Sequence, residues 1–123
     1  MNTIEALVDA HLAAYCEPDA AARRAAIRAT WNANGRLVDP PMESAGHAGI
    51  ADQAATLLAQ FPDHRFHRTT AVDLHHGFAR YGWALRTPWG ETVLEGEDFV
   101  QQDVDGFLLT VVGFFGALAP RNG

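Results

Sequence analysis

The chain has 123 residues, 48% of them hydrophobic, enough for one domain (residues 1–123) to bury a core without disulfides or metals. The formal charge is −6, the nine basic residues are all arginines scattered without a cluster, and lysine is missing, which disfavours a nucleic-acid surface and excludes lysine Schiff-base chemistry. Ser44 lies in "MESAGHAG" with no nucleophile elbow, Cys16 has no intrachain partner, and neither a leader-like N-terminus nor an apolar run of about 20 residues occurs, so a soluble, cytoplasmic protein with no membrane partner is expected.

Residues 2–16 read as a first helix. Asn2 and Glu5 form a capping-box pattern, and Ile4, Leu7, Val8, His11, Leu12 and Tyr15 recur at 3,4-spacing. A second, alanine-rich helix is capped by Asp19 and runs toward Trp31, with Asn34-Gly35 as its stop. The strand "RLVD" ends on Asp39 before Pro40-Pro41, and a third helix from about Ala48 is halted by Pro62. From Arg65 the pattern becomes β: "RFHRTTAVDL", "FARYGWALRT", "ETVLEGEDFVQQ" and "FLLTVVGFFGAL" are separated by the turn signals "HHG", "PWG" and "DVDG". Three N-terminal helices on a curved antiparallel sheet make an α+β domain.

Alternation places Tyr81, Trp83 and Leu85 on one face and Arg80 and Arg86 on the other, within reach of Glu95 and Glu97 on the next strand. Asp98 then falls with Leu94 on the apolar face. The last strand is apolar on both faces, which implies helices on one side and a second copy of the chain on the other, a homodimer through the sheet. Three polar groups therefore stand where apolar ones belong: His11, Asp39 and Asp98. Each alone has a plain reading, as a hydrogen-bonded core histidine, a turn-capping acid or an acid at a strand end. Together they suggest a site, because a carboxylate in apolar surroundings is costly unless protonated, paired or hydrogen-bonded.

The segments "HLAAYCEPD", "GHAGI", "GEDFVQQDVDGF" and "VVGFF", with Trp31 eight residues before Asp39-Pro40, resemble the cone-shaped fold of the NTF2-like superfamily, which includes SnoaL-like polyketide cyclases and ketosteroid isomerase. The resemblance spans nearly the whole chain, and from about Phe78 onward the sequence aligns with ketosteroid isomerases without a gap. It implies a cofactor-independent isomerase or cyclase acting next to a carbonyl. Asp39 corresponds to the general base, and Asp98 to the acid that donates to the developing enolate. His11 takes the place of the oxyanion-hole tyrosine, a departure from the family pattern, with Tyr15 one turn further on. In such isomerases a base of ordinary acidity works beside a carboxyl kept neutral by its apolar site. The implied cone is lined by Tyr15, Trp31, Phe61, Tyr81, Trp83, Leu94, Val111 and Phe115, suited to a flat, mostly apolar or aromatic small molecule.

Other readings have their own signatures. A metal site is disfavoured because His64 and His67, and likewise His75 and His76, are spaced to opposite faces of a strand. An epoxide-hydrolase-like site lacks the Arg between two acids in "EGEDFVQQD". A non-catalytic binding or accessory protein could use the same cone, with Asp39 as a turn cap.

Overall fold

The structure is a computed structural model that describes residues 3–122. Helix α1 spans Ile4–Ala14 and is capped by Thr3, whose hydroxyl accepts from the Ala6 amide at 3.1 Å. Asn2, the expected cap, lies outside the described residues. Helix α2 (Ala20–Thr30) begins at Asp19, whose carboxylate accepts from the Ala22 amide at 2.8 Å. No helix among the described residues is long and apolar enough to cross a membrane.

The second helix ends earlier than the Asn34-Gly35 signal predicts, and strand β1 runs Trp31–Asp39. Its pairing slips between Trp31 and Arg36, and the buried Trp31 ring folds back over Gly35, where a Cβ would lie 2.5 Å from the indole Cε3. The glycine thus makes room for an aromatic ring inside a strand; it does not stop a helix. Strand β2 (Met42–Ala45) follows a turn at Pro40-Pro41, and α3 (Gly46–Gln60) lies against β1.

The β half consists of β3 (Arg65–Arg68), β4 (Asp73–His75), β5 (Phe78–Arg86), β6 (Thr92–Gln102) and β7 (Leu108–Phe115). The expected long first strand is split in two because the Thr70 hydroxyl, not a backbone carbonyl, accepts from the Gly82 amide at 2.8 Å. The sheet order is β2-β1-β7-β6-β5-β3, with β4 also on β5. Strands joined by short turns pair antiparallel, as predicted. The sheet is nevertheless mixed, because β1 pairs with β7 in parallel, and no turn between these distant segments dictates their direction.

Register also corrects two details. Arg80 lies opposite Phe99 and pairs with Asp73 at 3.0 Å, while Arg86 lies opposite Thr92 beyond a bulge, so neither faces Glu95 or Glu97 directly. His75 and His76 are not on opposite faces: their Nδ1 atoms are 3.1 Å apart because His76 enters a turn at φ +51°.

A bulge opposite Gln101–Gln102 turns Leu108 inward with Val111, and both are fully buried in a core shared with Val8, Ile27, Leu37 and Ile50. The other face of the sheet leaves Phe99 and Phe114 40% and 56% exposed, stacked edge to face.

Candidate active site

Four adjacent strands set the floor of the site. Val38 pairs with Val112, Asp98 with Gly113 and Tyr81 with Asp98, so Asp39, Gly113, Asp98 and Tyr81 form one row across β1, β7, β6 and β5. Two strand spacings separate the acids by roughly 10 Å at the backbone. Gly113 stands between them with no side chain. A methyl group there would collide with Asp39 Oδ1 and lie 3.1 Å from Asp98 Oδ1, so both carboxyls lean over the glycine toward one point. The next row repeats the device. Trp83, Gly96 and Phe115 are paired across β5, β6 and β7, and the rings of Trp83 and Phe115 meet edge to face at 5.6 Å above the glycine.

Each acid carries a tyrosine. Tyr81 donates to Asp98 Oδ2 at 2.6 Å, and Tyr15, at the end of α1, donates to Asp39 Oδ2 at 3.2 Å. His11 Nε2, one helical turn earlier, is 3.3 Å from the Tyr15 hydroxyl. With the Tyr15 hydroxyl donating to Asp39, the consistent assignment is a neutral His11 whose Nε2–H donates to Tyr15. Burial alone lowers the His11 pKa to about 4, in keeping with a neutral ring.

Burial also raises both tyrosines well above their usual range, helped by the charge of Asp39 at Tyr15 and of Asp98 at Tyr81, so both remain donors at neutral pH. The two acids are driven apart by their surroundings. Burial raises Asp39 above the ordinary carboxylate range, opposed by the Tyr15 hydrogen bond. Asp98 is pushed up to about 7 by deeper burial, opposed by the Tyr81 hydrogen bond and reinforced by the charge of Asp39. The indole N–H of Trp83 is near enough to Asp98 to favour its ionised form slightly, yet it makes no geometrically sound hydrogen bond and is left without a partner.

Both acids border one hollow of about 30 Å³, together with Tyr15, Phe61, Trp83, Leu94 and Phe115 from the predicted wall. The other predicted residues lie elsewhere. His11 sits behind Tyr15 against Trp31, Tyr81 reaches the site only through its hydroxyl on Asp98, and Trp31 and Val111 are core. Leu12, Pro40, Met42, Leu57 and Phe66 complete the wall, and sequence reasoning missed them. Two of these had a signal: Leu12 is one turn before Tyr15 on the same helical stripe, and Phe66 is the apolar member of the alternating run "RFHR".

Three helices on a curved mixed sheet of seven strands are the NTF2-like fold. A protein from Agrobacterium tumefaciens named as an isomerase of the SnoaL-like family matches with TM-score 0.85 and 35% identity, over 90% of this chain and 95% of that one. The chain belongs to the SnoaL-like family. A protein of ketosteroid isomerase-like fold from Catenulispora acidiphila, solved with trimethylamine, matches with TM-score 0.73 and 14% identity over 94% of this chain and 88% of that one. A protein from Jannaschia named as a SnoaL-like polyketide cyclase gives TM-score 0.66 and 17% identity over 89% and 84% of the respective chains. These last two share the fold alone. No family sequence model and no curated protein matches the chain.

Proposed function

We propose that this protein is a cofactor-independent proton-transfer enzyme acting on a small, mostly apolar carbonyl compound, as an isomerase or in cyclase-like chemistry. The observation that carries this reading is the convergence of Asp39 and Asp98 over Gly113 in one apolar hollow, where burial pushes Asp98 up to about 7. Ionised Asp39 takes a proton from a carbon next to the carbonyl, and protonated Asp98 hydrogen-bonds the oxygen that gains charge. Return of the proton from Asp39 to another carbon of the enolate completes an isomerisation. Tyr15 orients the base, and His11 acts through Tyr15 as a positioning residue, since it does not border the hollow. The hollow has room for only one or two waters, so a ring enters by displacing wall side chains, Met42 and the 45% exposed Phe115 among them.

The pH dependence follows from the two acids. Activity requires Asp39 ionised, so it rises as pH passes that group's raised pKa. It requires Asp98 protonated, so it falls as pH passes about 7. A bell-shaped kcat/KM profile is expected for proton exchange into small cyclic ketones. Asp98→Asn, which keeps a donor but cannot ionise, should flatten the alkaline limb. An alkaline limb unchanged in this variant would refute the role of Asp98.

A second reading is a non-catalytic receptor for a small amine, held by Asp39. It is favoured by the trimethylamine bound to the Catenulispora neighbour and by the two carboxyls here.

The outer face of the sheet supports a homodimer as the working assembly. Phe78, Phe99 and Phe114 stand exposed there, Phe99 and Phe114 in contact with each other, and Val112 lies opposite Phe99. Light scattering at micromolar concentration should give twice the chain mass, and Phe114→Asp should halve it. A monomeric wild-type protein would rule the assembly out.

A further inference from the structure

We infer that the indole N–H of Trp83 is a second hydrogen-bond donor, beside Asp98, to the oxygen of a planar enolate- or phenolate-like ligand. This rests on the acid/base reading of the hollow and narrows its substrate to compounds with a terminal acceptor oxygen on an apolar ring.

Three observations support it. Trp83 is only 3% exposed and borders the hollow, yet its Nε1 has no hydrogen-bond partner. Buried donors are nearly always paired, so an orphan close to Asp98 but short of a sound hydrogen bond to it, on a ring that borders the hollow, points to an acceptor that arrives with a ligand. The ring is also held in place: Phe66 and Phe115 meet it edge to face at 5.6 Å each, and its Cζ2, on the nitrogen-bearing side, lies over Gly96, where a Cβ would come within 2.7 Å. Gly96 and Asp98 occupy the same face of β6, which puts the indole N–H and the Asp98 carboxyl side by side. The third observation concerns the competing donor. His11 stands where the family's tyrosine is expected, but its Nε2 is engaged with Tyr15 and it does not border the hollow. The indole of Trp31 is also unpartnered, but it is packed in the core away from the cavity.

The test compares 4-chlorophenol with 4-chlorotoluene, matched in shape but only the first carrying an acceptor oxygen, at pH 6 against the wild-type protein and Trp83→Phe. Loss of the donor should weaken chlorophenol binding about tenfold or more and leave chlorotoluene within about twofold. In the wild-type protein the Trp83 indole ¹⁵N–¹H resonance, identified by its disappearance in Trp83→Phe, should move downfield on addition of chlorophenol and not with chlorotoluene. Equal losses for both compounds, or no downfield shift with bound chlorophenol, would overturn the role of Trp83 while leaving the hollow as a ligand site. A wild-type protein that binds neither compound would remove both this inference and the reading it rests on.

Discussion

Asp39→Asn is expected to lower proton exchange into small cyclic ketones by about 10²–10⁴-fold, the range typical of a positioned general base. Asparagine keeps the size of the side chain and an oxygen for the Tyr15 hydroxyl, so the row of residues on the floor is preserved. It removes only the group that accepts the proton. The burial that raises the pKa of Asp39 also means that a neutral amide fits there without penalty, so the melting temperature should hold or rise. Asp98→Asn behaves differently, because it loses the alkaline limb while retaining a donor. An exchange rate untouched by Asp39→Asn would end the catalytic reading. The receptor reading would then be tested by trimethylammonium binding, which should weaken in the same variant.

Gly113→Ala should be nearly as damaging, at about 10²-fold in kcat, although it alters no chemical group. Its methyl occupies the place over which the two carboxyls converge, colliding with Asp39 Oδ1. The atom it displaces is the end of a flexible side chain, so the carboxylate swings aside and the fold loses little stability. With Asp39 moved away, its charge no longer holds the Asp98 pKa up, and any remaining alkaline limb should shift to lower pH. Kinetics combined with thermal melting separate this outcome from simple destabilisation. A Gly113→Ala protein with normal rates and an unshifted profile would show that the acids do not work as a pair.

Much of this was legible in the sequence because its causes are local. The 3,4-spacing around Leu7, Val8 and Leu12 marks α1, and strand alternation puts Asp98 on the apolar face without any knowledge of its partners. What was hidden depends on register. Arg80 was expected near Glu95 and Glu97, and only the ladder reveals that it faces Phe99 and pairs with Asp73. The same ladder sets Tyr81 against Asp98 and turns a presumed wall residue into the donor on an acid. His11 illustrates the limit of a helical stripe, which predicts burial but does not say whether a side chain reaches a cavity or stops behind its neighbour. Gly113 is a gap in an apolar strand and Gly96 a gap in a mixed one, a sign that something comes close, but what comes close belongs to other strands.

The parallel contact between β1 and β7 ties the start of the sheet to its end. Asp39 hangs from one of these strands, Asp98 from a neighbour of the other, and the glycine that lets them meet lies in β7 itself. Asp39 and Asp98 can therefore converge only once the C-terminal strand has docked and closed a long-range loop. A form in which that strand has not docked would have no row of residues joining Asp39 to Asp98.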